Sequence, residues 1–256
     1  KTKSVLDFEK DEEIEELEDT DIIIGSPPCV SFSMANKAGK ADKSLGIRLI
    51  EAFLRVVAVK KHKKGSILKA WYMENVPNSR NFVQKTYTFK DLNLSKWAEK
   101  NGIDKTKIAL NVQDNGEVLN SNDYGSPQKR ERFICGEFIQ RDSKNNIISE
   151  EFIKPIKTHN SNTQIVLGNI RANIPSPIQN KDKKEQIVDP NYPSLKFPIS
   201  ELTDHFYDSG LYEMEWEQAQ RAKQNHPFMG TMSFPENENK PSRTVMATRG
   251  GSTRES

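Results

Sequence analysis

The sequence predicts an α/β fold, a mostly parallel sheet over residues 1–150 followed by a smaller, irregular region over 151–256. Three observations predict it. Short apolar runs bounded by turn residues alternate with a segment of helical periodicity, which is the order of a βαβ unit. The chain has 256 residues but only 34% hydrophobic ones and a mean hydropathy of -0.76. One substantial core is therefore expected beside long polar connections or missing packing partners. From Gln140 onward Asn, Ser, Lys and Pro dominate with weak periodicity, which places a boundary near residue 150.

The elements follow in order. Residues 11–19 read as a short acidic helix, and the apolar triplet within 21–25 as a buried strand. Residues 31–45 are small, polar and Lys-rich with Gly39, which predicts a mobile loop. Leu49, Phe53, Leu54, Val56 and Val57 recur at helical spacing and predict an amphipathic helix ending in the Lys60 to Gly65 cluster. Residues 67–73 are the next strand, 92–101 a helix, 107–112 a strand and 132–138 a further apolar strand. A helical patch with Trp216 lies in 200–224, the remainder is turn-rich, and there is no repeat of solenoid period.

Charge narrows the function classes. The net charge is +2, yet residues 7–21 are crowded with Asp and Glu. Residues 37–69 hold Lys37, Lys40, Lys43, Arg48, Arg55, Lys60, Lys61, Lys63, Lys64 and Lys69. This run reads either as a surface for a polyanion or as a solvated helix face. Cys29 and Cys135 are too few for a disulfide framework and fit a reducing compartment. No apolar run is long enough to cross a bilayer and no signal-peptide pattern opens the chain, so a soluble, cytoplasmic protein without membrane partners is expected.

In an open parallel sheet, reactive groups collect beyond the carboxyl ends of the strands, and three segments sit there. In "GSPPC", Gly25 allows a tight exit while Pro27 and Pro28 fix φ and hold Cys29 at a defined point. The arrangement reads either as a buried, inert thiol or as a mounted nucleophile beneath a flexible Ser-rich loop. In "YMENVPN", Glu74 and Asn75 end an apolar strand. Glu74 is either a cap or salt-bridge partner, or a general acid whose pKa burial raises. In "NDYGSPQKRERF", Arg130 and Arg132 are two apart. On an extended segment both guanidinium groups then share a face, where they can hold a base oxygen or a phosphate, unless they only decorate a strand edge.

Together, and in this order, PPC, ENV and QKRER strongly resemble the motifs of the DNA cytosine-5 methyltransferase family, over roughly residues 5–140. The resemblance implies a Rossmann-like, S-adenosylmethionine-dependent catalytic domain, partial here, over 1–150 and a partial target recognition domain over 151–256. It implies that Cys29 adds to C6 of a cytosine swung out of the duplex, with Glu74 protonating or hydrogen-bonding N3. Arg132 would hold the cytosine O2, Arg130 would act beside it, and Asn75 would shape the strand end. Gln128, Ser31 and Ser33 would meet DNA, and so would Arg243 and Arg249, the latter beside Gly250 and Gly251. Asp7 and Phe8 match the family's adenine-contacting pair, and Pro27 is placed with them at S-adenosylmethionine. No metal is implied. Val30 stands where many relatives carry Gln, so no contact is expected from that side chain.

The resemblance also lacks parts. Neither the family's Gly-rich cofactor turn nor its C-terminal segments are visible, so they are expected elsewhere on a longer protein or on a second chain. These residues alone are then not expected to be a competent methyltransferase. A bacterial restriction-modification setting, with a cognate restriction endonuclease as a possible partner, is the leading expectation. The alternatives are a tRNA-acting relative and a non-catalytic DNA-binding subunit.

Overall fold

The computed structural model describes residues 4–28, 32, 42–172, 186–188, 196–198, 221, 224 and 236–244. They fall into two compact units, one of residues 1–120 and 131–157 and one of 121–130 and 158–256. The division falls at Lys157 and counts the segment 121–130 with the second unit.

In the first unit a 3-10 turn, Val5–Glu9, precedes α1 (Asp11–Glu15) and β1 (Ile22–Gly25). The long helix α2 (Lys43–His62) starts at Asp42, whose Oδ1 accepts from the Ser44 and Leu45 backbone N–H at 2.9 and 3.3 Å. It ends on Lys60, Lys61 and His62, where the two lysines complement the helix dipole. His62 closes it uncharged: burial pushes the imidazole down to about 4, and Nε2 lies 2.9 Å from the Ala109 carbonyl. Then come β2 (Ala70–Asn75), β3 (Thr86–Thr88), α3 (Ser95–Lys100), β4 (Ile108–Asn111), β5 (Gly116–Asn120), β6 (Glu131–Arg141) and β7 (Ile147–Glu151).

The main sheet runs β1-β2-β6-β5, with β7 on the far half of β6, while β3 and β4 pair separately. The expected mostly parallel sheet is corrected. Only β1 and β2 are parallel, and β6 meets β2, β5 and β7 antiparallel. The βαβ unit dictates the first pair, and short connections join β5, β6 and β7 antiparallel, whereas β6 returns beside β2 only after β3, α3, β4 and β5 have intervened. β3, β5 and β7 have no counterpart in the sequence reading, because runs such as "GEVLN" are short, half-polar and half-buried.

α2 covers one face of this sheet. Ile50, Leu54, Val57 and Ala58 are buried with Trp71 and Met73 in the core, and the Phe53 and Trp71 rings meet edge to face at 6.5 Å. Gly25 is required by this packing, since a Cβ there would lie 2.3 Å from the Phe53 ring. Helix and strand end can approach this closely only without a side chain.

The basic run is not the free polyanion surface considered from sequence. Arg48 pairs with Glu9 at 2.9 Å, Lys63 with Asp19 at 2.7 Å and Lys69 with Asp21 at 2.8 Å. Arg55 is buried and donates to the Phe8 and Glu9 carbonyls at 2.9 and 3.1 Å, to Asp11 at 2.5 Å, and to the Leu92 carbonyl. Lys60 donates to Asp19 at 3.1 Å and to the Leu17 carbonyl. Most described members of the run thus answer the acidic block at 7–21, because the turn and α1 fold back along α2. Lys61 turns inward, to Glu137 at 2.7 Å and to Glu150. Lys37 and Lys40 lie outside the described residues.

In the second unit, the described residues include α4 (Leu167–Arg171) and the pair β8 (Gln186–Val188) and β9 (Lys196–Pro198). The segment 236–244 is tied into it by backbone hydrogen bonds. Leu167 donates to the Lys240 carbonyl at 2.9 Å, Lys129 to Ser242 at 2.8 Å and Ser242 to Pro127 at 2.7 Å.

Candidate active site at the strand ends

Strand alternation places the site. Ile24 lies beside Tyr72 and Glu74 beside Ile134, and paired residues share a face. Stepping two residues along each strand, Ser26, Glu74 and Arg132 must project from one face of the sheet, opposite the α2 face. There they join. Arg132 Nε lies 2.6 Å from Glu74 Oε1, and the Ser26 hydroxyl donates to Glu74 Oε2 at 2.5 Å. The ends of three adjacent strands thus meet on one carboxyl group.

Asn75 points the other way and is 1% exposed. Its Nδ2 donates to the Pro27 carbonyl at 3.0 Å, while its Oδ1 accepts from the Val76 N–H at 2.9 Å. This fixes the exit of β1 to the end of β2. Next comes a 3-10 turn, Pro77–Asn81, with proline at its start, where its missing N–H costs nothing. From this turn Asn78 Nδ2 donates to the Phe32 carbonyl at 3.2 Å. The Phe32 ring is buried 5.1 Å from Phe82, so the chain is held on both sides of residues 29–31.

The expected site residues divide accordingly. Glu74, Arg132, Asn75 and Pro27 come together. Glu74 is not sealed away: its side chain keeps 32% exposure and Arg132 keeps 21%. Both are thus reachable from solution. Arg130 lies one residue before β6, and its carbonyl accepts from Ser121 N at 3.0 Å. Gln128 forms an isolated bridge with Ser242. Arg243, expected at DNA, is engaged through Nε with Glu236 at 2.6 Å, and its backbone N–H donates to the same carboxylate at 3.1 Å. Asp7 caps the first turn, accepting from Ser4 N at 2.9 Å, and the Phe8 carbonyl accepts from Arg55; neither bonds to the strand-end cluster. Cys29, Ser31, Ser33 and Arg249 lie outside the described residues, as do Gly250 and Gly251.

Cys135 sits in the middle of β6, opposite Met73. It is fully buried, and burial pushes its thiol well up, away from the reactive thiolate. The residue that sequence reasoning missed is Ser26. Its signal was the two-residue step from Ile24, which sets its hydroxyl on the same face as Glu74. Among the described residues no group of acidic, His and Cys side chains is placed to hold a metal, and no helix is long and apolar enough to cross a membrane.

The mixed α/β sheet, with a carboxylate, an arginine and the exit of β1 at Pro27 at adjoining strand ends, is consistent with a Rossmann-like methyltransferase fold. The chain belongs to the C-5 cytosine-specific DNA methylase family, whose model matches residues 2–249. It is 32% identical over 145 residues to the type II methyltransferase M.AquIA of Picosynechococcus sp., covering 56% of this chain and 50% of that one. It is 33% identical over 184 residues to the type II methyltransferase M.MthTI of Methanothermobacter thermautotrophicus, covering 69% and 46%. The chain therefore spans about half the length of these curated relatives. A solved methyltransferase of Entamoeba histolytica, EhMeth, superposes with a TM-score of 0.26 at 14% identity over 73% of this chain and 47% of that one, too loosely to bear on the fold.

Proposed function

We propose that the protein to which these residues belong methylates C5 of cytosine in a specific duplex DNA sequence, through a covalent bond from Cys29 to C6. The observation that carries the reading is the Glu74 carboxyl held by Arg132 and Ser26, with Asn75 locking the Pro27 turn beside it.

Cytosine C5 is a poor nucleophile while its ring is aromatic, and neither C5 nor C6 can be reached inside the stack, so the base must leave the duplex. The Cys29 thiolate adds to C6, the C5–C6 π electrons shift toward C5 and N3, and the Glu74 carboxyl supplies the proton or hydrogen bond that N3 needs. S-adenosylmethionine, when bound, would supply the methyl group from its positive sulfur to the enriched C5, the S–CH3 bond breaking as C5–CH3 forms and the sulfur leaving as a neutral thioether. Loss of the C5 proton to a base then expels the thiolate and restores the C5–C6 double bond. Arg132, beside Glu74, favours the thiolate and is within the same cluster for the cytosine O2. Arg130 would support it from the neighbouring segment. Splitting one hard step in two is the gain of the covalent route.

Asp7, Phe8 and Pro27 would hold the methyl donor. Asp7 is exposed and uses only Oδ2 in its cap, which leaves Oδ1 as an acceptor for an adenine amino group. Residues 1–150 would be the catalytic domain and 151–256 the recognition domain, with Ser31, Ser33, Gln128 and Arg249 toward DNA. Arg243 would also be turned toward DNA, with its Nε braced by Glu236. A restriction-modification setting with a cognate endonuclease in a bacterial cytoplasm belongs to this reading, and the relatives named type II methyltransferases support its methyltransferase part.

Labelled methyl incorporation by the intact protein into duplex DNA and transfer RNA tests the substrate. Incorporation confined to DNA and located at C5 of cytosine is expected. Incorporation into tRNA alone, or into adenine, would overturn the reading.

A further inference from the structure

We infer that Ser26 is a positioning residue that aims the Glu74 carboxyl. The inference rests on the function proposed above and goes beyond it, since it assigns a role to a hydroxyl outside the family's PPC, ENV and QKRER motifs.

The geometry carries it. Glu74 is held by one donor on each oxygen: Arg132 Nε from β6 at 2.6 Å on Oε1 and Ser26 Oγ from the end of β1 at 2.5 Å on Oε2. Two contacts from different strands fix the plane of the carboxyl group, where one would leave it free to turn about its terminal torsion. The two donors differ in kind. Arginine is a permanent cation and always favours the charged carboxylate, whereas a serine hydroxyl donates equally well to a carboxylate or to a neutral carboxylic acid. An acid that must alternate between those forms needs a holder that accepts both. Ser26 also lies three residues before Cys29, and the intervening Pro27 is tied back to Asn75. Ser26–Glu74 and Asn75–Pro27 therefore lock the same short segment to β2 from opposite faces.

The test compares Ser26→Ala with Ser26→Thr in the intact protein, with kcat and KM measured for duplex DNA and S-adenosylmethionine. Ser26→Ala is expected to lower kcat roughly tenfold with little change in either KM. Ser26→Thr, which keeps the hydroxyl, is expected to restore kcat to within about threefold. An unchanged kcat, a loss carried by KM instead, or an equal loss in both variants would overturn the inference. Full activity of Glu74→Gln would instead overturn the role of Glu74, so the two failures are distinguishable.

Discussion

Glu74→Gln in the intact protein is expected to lower methyl transfer to duplex DNA by roughly two to four orders of magnitude, the contribution of a positioned general acid. Glutamine keeps the length and shape of the side chain and can still accept from Arg132 Nε, so the strand-end cluster should survive. What it cannot do is pass a proton to the cytosine N3 as C6 becomes saturated. The loss should fall on kcat and on kcat/KM alike, with DNA binding changed by no more than severalfold, because the missing interaction belongs to the transition state. Single-turnover methylation together with DNA binding by anisotropy measures both. A variant whose binding collapses while its single-turnover rate holds would place Glu74 in DNA recognition instead.

The second large effect concerns stability. Glu137→Leu is expected to destabilise the first unit by about 3–5 kcal/mol, the cost of breaking a buried ion pair from one side. Glu137 is fully buried, and its oxygens accept from Lys61 Nζ and Trp71 Nε1 at 2.7 Å each and from Asn111 N at 2.9 Å. Leucine fills much of the volume but leaves the indole N–H, the strand amide and part of the Lys61 ammonium without their acceptor. The double variant Lys61→Met/Glu137→Leu should recover part of the loss, since the buried Lys61–Glu137 pair is then removed from both sides and the charge left over, on Glu150, is 32% exposed. Denaturant unfolding decides the matter, and a single-variant loss below about 1 kcal/mol would mean that the site admits water and the pair matters little.

Particular elements show what the sequence made legible. β1, β2 and β6 were readable because each is a short apolar run with turn residues at its end, and α2 because Phe53, Leu54 and Val57 recur at helical spacing. Strand direction was not readable beyond the first pair. It depends on where a connection returns the chain, and nothing in "GEVLN" marks Gly116–Asn120 as the antiparallel neighbour of β6. The fate of the basic run was hidden for a related reason. Arg55 and Asp11 are 44 positions apart, and only the folding of the first turn along α2 makes them partners. At the site, Glu74 and Arg132 stood out as strand-end charges and their meeting follows from alternation on two paired strands. Ser26 was silent because a serine's significance lies in its acceptor, here 48 residues away. Arg243 illustrates the reverse, since its acceptor Glu236 was close in sequence but gave no sign that it claimed the guanidinium.

The account centres on Cys29 as the atom that joins protein to base, and one measurement addresses it directly. The intact protein is incubated with S-adenosylmethionine and duplex DNA bearing 5-fluorocytosine at the target position. Fluorine cannot leave C5 as a proton does, so the thioether to C6 should persist as a complex that survives denaturation. The expected adduct maps to Cys29, forms in Cys135→Ser because that thiol is buried within β6, and is absent in Cys29→Ala. An adduct that persists in Cys29→Ala, or none from the wild-type protein on DNA that it methylates, would contradict the account.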